Sequence, residues 1–209
     1  HVPYSVKSLL DGEFETLTLL RDPVDRTISY LKHCRRHHVE HMGLSLEEIY
    51  DDVWFRKSFM ENYQTKLFSM TSEETVSEKR FPDRSPPLPP RREIIKGKEL
   101  SGYVKELRDQ GGARFMLECY APSTAIIEVD DRRLKVAREN LDKIGVVGVT
   151  ERHEAFTSQL GRKYGWDIKS VPRRNVGGED TVSESLRQQI ERDNACDLEL
   201  YEYAKSIAA

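Results

Sequence analysis

Between Phe14 and Leu20 polar and apolar residues alternate and then give way to an apolar run, as in a strand entering a buried sheet. Arg21-Asp22-Pro23 follows at once. Asp22 suits an N-cap and Pro23 a first helical position, so a helix is expected from there to about Met42, with Ile28, Leu31 and Tyr30 facing inward and Gly43 ending it. Ser45 and Glu48 stand at capping-box spacing and open a second helix over Ser45–Asp52. An aromatic-rich third segment, Phe55–Phe68, is expected to pack on the sheet. Further on, Leu134, Ala137, Leu141 and Ile144 give one apolar face to a helix over Asp131–Lys143, with Asp130 and Asp131 reading as its caps. Gly145–Val149 reads as a short buried strand, and Thr150-Glu151 as the cap of a helix reaching Tyr164. A closing helix over Ser183–Ile207 puts Leu186, Ile190, Asp197, Tyr201 and Ala204 on one stripe. Asn194 and Asp197 are polar on its buried side, which predicts that they anchor this helix to a neighbouring backbone. Strands alternating with helices imply an α/β domain around a mostly parallel sheet, and no internal repeat is visible.

The pattern breaks from Thr71 to about Gly112, where Pro82, Pro86, Pro87, Pro89 and Pro90 sit among charges. This long insertion interrupts what is otherwise read as a single domain over residues 1–209. Its Pro86–Pro90 run is either a stiff surface spacer, the simpler reading, or a polyproline ligand for a protein partner.

Composition narrows the picture. Charged residues make up 33% and hydrophobic ones 37%, as in a folded domain with one long solvated excursion. The net charge of −3 argues against a dedicated nucleic-acid binder. No apolar run approaches the length of roughly 18 residues that a membrane-spanning helix needs. Cys34, Cys119 and Cys196 are odd in number and irregularly spaced, and no N-x-[ST] sequon is present. A reducing, cytoplasmic setting is therefore expected. His1-Val2-Pro3-Tyr4 is neither an initiator nor a signal sequence, so the chain reads as part of a longer protein.

The candidate chemistry concentrates at the turn Leu20–Tyr30. A helix N-terminus offers N–H groups and a positive dipole end to an anion, and Arg21 stands at the carboxyl end of a strand, where ligands bind in open α/β sheets. Ser29 lies two helical turns after Asp22 at nearly the same azimuth, so Arg21 and Ser29 can converge on one anion. The spacing equally allows Arg21 to pair with Asp22 or Asp25 and Ser29 to be a surface hydroxyl. A second cluster, His33, His37 and His41, falls at i, i+4 and i+8, a spacing that could hold zinc. Arg35 and Arg36 add positive charge beside it, so it reads instead as a solvated basic helix face and no metal is assigned. Arg173, Arg174 and Asn175 lie in a basic loop with Gly177 and Gly178.

The motif Arg21-Asp22-Pro23-Val24-Asp25-Arg26-x-x-Ser29-Tyr30 resembles the 3′-phosphate-binding element of sulfotransferases that use 3′-phosphoadenosine-5′-phosphosulfate. His1-Val2-Pro3-Tyr4 resembles the His-Val-x-Phe segment of uronosyl and heparan-type 2-O-sulfotransferases. Asn62–Thr65, Val147–Glu151 and Asp197–Ala204 resemble further family elements in the same order. The likeness covers most of the chain outside 71–112.

The resemblance implies a three-layer fold of P-loop type, with a mostly parallel sheet flanked by helices. It implies transfer of a sulfuryl group from the phosphosulfate co-substrate to a hydroxyl of a carbohydrate or other alcohol, without a metal. Arg21 and Ser29 would hold the 3′-phosphate, and Arg173, Arg174, Asn175 and Gly177 would form a second clamp. His1 would be the general base for the acceptor hydroxyl. The family's glycine-rich loop with a lysine, which holds the 5′-phosphosulfate, has no counterpart here and is expected upstream of His1. The fragment is accordingly expected to be a poor catalyst by itself. Two other classes fit parts of the pattern. A nucleotide kinase shares the general architecture, but a Walker loop and a clear magnesium carboxylate are missing. A non-catalytic scaffold would use Pro86–Pro90.

Overall fold

A computed structural model describes residues 3–9, 13–38, 41–72, 74, 126–168 and 181–208. His1, most of the 71–112 insertion with Pro86–Pro90, and the loop bearing Arg173, Arg174, Asn175 and Gly177 lie outside the described residues. Within them the chain is α/β but mostly helical. Two short strands, β1 (Leu17–Leu20) and β2 (Val146–Val149), pair in parallel with Leu17 opposite Val146 and Leu20 opposite Val149.

Eight α-helices are described: α1 (Pro23–His37), α2 (Leu46–Asp51), α3 (Val53–Phe59), α4 (Tyr63–Ser69), α5 (Asp131–Leu141), α6 (His153–Tyr164), α7 (Glu184–Asp193) and α8 (Ala195–Ile207).

Two larger apolar cores and two smaller clusters organise these elements. In the first, Leu20, Val147 and Val149 on one face of the strands meet Leu134, Ala137 and Leu141 of α5 and Leu200, Tyr201 and Ala204 of α8. The period-2 alternation sends Val146 to the opposite face, where it packs with Phe156 and Leu160 of α6 and with Leu19. Gly148 points the same way. A Cβ there would lie 2.3 Å from the Phe156 ring, so glycine is what lets α6 sit close on the sheet. The second core is wholly helical: Val24, Ile28, Leu31 and Cys34 of α1 pack with α2, with Phe55 of α3, and with Leu186 and Ile190 of α7.

The closing helix serves both cores and breaks between them. α7 belongs to the helical core and α8 to the sheet core, with the non-helical Asn194 at the change of direction. The aromatic segment also divides, at Asn62, whose backbone is left-handed (φ 44°, ψ 39°). Both were expected to be continuous. α1 stops at His37, five residues short of the expected end, and α6 starts at His153 after a 3-10 turn over Thr150–Arg152. The local cap signals match the sequence pattern. Ser45 and Glu48 make a reciprocal capping box, and Asp130 accepts from the Arg133 N–H.

Candidate functional site

The candidate site lies where β1 and β2 end and α1 begins. Asp22 accepts from the Asp25 N–H at 2.9 Å, and Pro23 occupies the first turn. This cap changes the electrostatics of the turn. Pro23 has no N–H and Asp22 takes that of Asp25, so Val24 carries the one first-turn donor not used in capping, beside two carboxylates. An anion arriving here is therefore attracted by a side chain and not by the helix end.

That side chain is Arg21, which is exposed and makes no ion pair within bonding distance among the described residues. It pairs with neither Asp22 nor Asp25; Asp25 lies instead 3.7 Å from Arg187 of α7. The Arg21 backbone is held from both sides by one amide. Its N–H donates to Gln64 Oε1 at 3.2 Å, and Gln64 Nε2 donates to its carbonyl at 3.0 Å. Gln64 thus does for Arg21 what a neighbouring strand would do, fixing the main chain and leaving the guanidinium unrestrained. Ser29 is half-buried two turns along α1, roughly 10 Å from Asp22 along the axis. Only a long side chain such as that of Arg21 can bridge that interval.

On the β2 side, Tyr201 of α8 donates its phenol to Glu151, and Thr150 Oγ1 lies 3.1 Å from the same carboxylate group. Burial opposes ionisation of Glu151, but the Tyr201 hydrogen bond and then the backbone, Thr150 and Arg21 outweigh it and hold its pKa below the usual carboxylate value. Burial foremost, and then the Glu151 bond, raise the Tyr201 phenol. Glu151 was expected to cap α6; it bonds to α8 instead, while Arg152 stands at the α6 N-cap without a side-chain capping bond, its guanidinium donating to the Lys205 and Ala208 carbonyls.

Gln64 is itself positioned by a buried polar knot. Asp197 accepts from the Gln64 N–H at 2.9 Å and the Thr65 N–H at 2.6 Å, satisfying the first turn of α4. Asn62 and α8 bond reciprocally: Asn194 Oδ1 accepts from the Asn62 N–H at 3.0 Å, and Asn62 Oδ1 from the Asp197 N–H at 3.1 Å. Asn194 Nδ2 donates back to the Ile190 carbonyl at 2.8 Å. The expected anchoring role of Asn194 and Asp197 is what these bonds perform.

Beneath the knot Arg26 lies over the Tyr63 ring, 4.1 Å from its centroid, and donates to the Phe59 carbonyl at 3.1 Å. Lys66 is fully buried, 4.9 Å from the same centroid, and donates to the Ser58 carbonyl at 2.5 Å. Burial, reinforced by the Arg26 charge, pushes the Lys66 pKa down to about 7. Burial raises the Asp197 carboxyl; the Thr65 and Gln64 N–H groups and Arg26 act in the opposite sense. Neither the Gln64 clamp nor the buried pair of cations was singled out from sequence. The signal in the sequence was the family-like element Asn62–Thr65, which marked these residues without giving Gln64 a role.

No protein-family model, no curated protein and no solved structure matches this chain.

Proposed function

We propose that the chain is the nucleotide-binding part of a sulfotransferase that uses 3′-phosphoadenosine-5′-phosphosulfate, with a carbohydrate or other alcohol hydroxyl as acceptor. The observation that carries this reading is the pairing at Arg21: a main chain gripped by Gln64 and a solvent-facing guanidinium at the carboxyl end of a parallel strand. A guanidinium in that position suits a phosphate monoester, which it can bond with two parallel donors. Ser29, with no side-chain hydrogen bond among the described residues, would supply a hydroxyl to the same 3′-phosphate.

Arg173, Arg174, Asn175 and Gly177 would clamp the nucleotide from a second loop. His1 would take the acceptor's proton as the sulfuryl group passes in line from its phosphate leaving group. In this reading the strand pair belongs to a larger three-layer sheet. Phe14 and Leu17 are 46% and 45% exposed beside β1. A cleft of about 420 Å³ runs along the same strand, lined among others by Tyr4, Phe14, Leu17, Arg26 and Gln64. A further strand carrying a phosphosulfate loop would cover that apolar surface. A cytoplasmic setting belongs to the same proposal.

Calorimetric titration separates the outcomes. 3′-Phosphoadenosine-5′-phosphate is expected to bind about tenfold or more tightly than adenosine 5′-monophosphate, since only the former carries the 3′-phosphate. Arg21→Ala is expected to abolish that preference. Equal binding of the two nucleotides by the unsubstituted chain overturns the proposal.

A further inference from the structure

A second cluster of chemistry-bearing side chains lies at the other end of α1. Cys34 is buried in its last turn, His38 follows the final helical residue, and His41 lies in the turn leading toward α2. Cys34 Sγ and one ring nitrogen from each histidine all lie within 4.8 Å of one another. His41 is 8% exposed, with its ring 4.6 Å from Phe55 and stacked on His38 at 5.7 Å. Tyr30 lies one turn earlier on α1, at i−4 from Cys34, with its ring 5.9 Å from that of Phe55.

We propose that Cys34, His38 and His41 bind a zinc ion that ties the end of α1 to the α1–α2 connection. One thiolate and two imidazoles form a donor set suited to zinc and poorly suited to magnesium or calcium. Zinc–sulfur and zinc–nitrogen bonds of about 2.3 and 2.0 Å put tetrahedral ligand atoms roughly 3.5 Å apart. Rotation of the two imidazoles, one of them half-buried, closes the remaining ångström. The i, i+4 spacing puts Tyr30 on the same face of α1 as Cys34, the side from which a phenol would support a bound thiolate. Water or a nearby imidazole takes the fourth position; the His33 ring is 5.9 Å from that of His38.

The i, i+4, i+8 pattern of His33, His37 and His41 does not form this cluster. α1 ends at His37, and His41, beyond the helix, lies against Cys34. Arg36, whose charge weighs against a cation, has its Nε turned back onto the Lys32 carbonyl at 3.1 Å. The cluster lies some 20 Å from Arg21, because 15 helical residues rising about 1.5 Å each separate the two ends. A zinc held there braces the end of α1 and does not reach a ligand at Arg21. The competing reading is that Cys34 and His41 merely fill the helical core, and it predicts indifference to metal.

Cobalt titration of the metal-stripped 209-residue chain tests this directly. One equivalent of cobalt is expected to produce a near-ultraviolet thiolate-to-metal charge-transfer band. Zinc should displace it and raise the thermal midpoint. Cys34→Ser should lack the band. His38→Gln alters a half-buried, non-helical position and should stay folded by circular dichroism, with zinc affinity lowered about tenfold or more. Absence of the band in the unsubstituted chain overturns the proposal. So does its persistence in Cys34→Ser, which would assign it to Cys119 or Cys196, or an unchanged zinc affinity in folded His38→Gln.

Discussion

The Asn62–Asn194–Asp197 knot and the Arg21–Glu151 edge are joined through Gln64, yet they are built on opposite terms. In the knot, asparagine and aspartate side chains take up the backbone donors that the two helix starts leave over, with Asn194 and Asp197 buried and Asn62 half-buried. At the edge, an arginine is fixed by its main chain, makes no close ion pair among the described residues, and acts at longer range on Glu151. A saturated buried cluster defines geometry, and an exposed charge left without a close partner is available to a ligand. Gln64 links them: the knot holds its backbone and its side chain holds Arg21.

Substitutions should separate the two regions. The largest effect is expected for Asp197→Ala, which strands two buried N–H groups and removes the carboxylate nearest Arg26. A loss of about 3 kcal/mol in urea unfolding is expected. A loss no larger than that of a surface substitution would show that the knot is not a structural anchor. Arg21→Ala should do the reverse. Its clamp is made by main-chain atoms and survives, so stability should move by no more than about 0.5 kcal/mol. The preference for the 3′-phosphorylated nucleotide, about tenfold, should vanish.

Lys66 gives the knot a pH signature. Its pKa is about 7 folded and near 10.5 unfolded, so between these values the unfolded chain binds more protons. Stability should therefore rise from pH 7 to pH 9, by at most about 1.4 kcal/mol per unit from this one group. Lys66→Met should flatten the rise. An identical slope in the variant would remove Lys66 as its cause. The smallest expected effect is at the edge. Glu151→Gln keeps an acceptor for Tyr201 and removes the negative charge facing Arg21, so nucleotide affinity should improve about two- to threefold. Weaker binding would mean that Glu151 helps to hold the ligand.

The parts legible in the sequence are those whose physics is local. Asp22-Pro23, Ser45 with Glu48, and Asp130 cap their helices through contacts three residues long, and the buried stripe from Leu186 to Ala204 follows from helical period alone. Even the anchoring by Asn194 and Asp197 was readable, because a polar residue on an apolar stripe must find a partner. The partner itself was not. Asn62 takes a left-handed conformation because α8, some 130 residues later, supplies its hydrogen bonds, and the two helical segments expected to be continuous break where they meet. Arg21 was visible as a residue at a strand end. That its backbone is held by Gln64, while its side chain escapes Asp22 and Asp25, depends on a helix delivered from 43 positions away. The sequence by itself determined where helices start and which faces are apolar, since capping and periodicity act over one or two turns. The tertiary structure alone decided where those helices stop and which polar groups meet, because contacts between distant segments settle both.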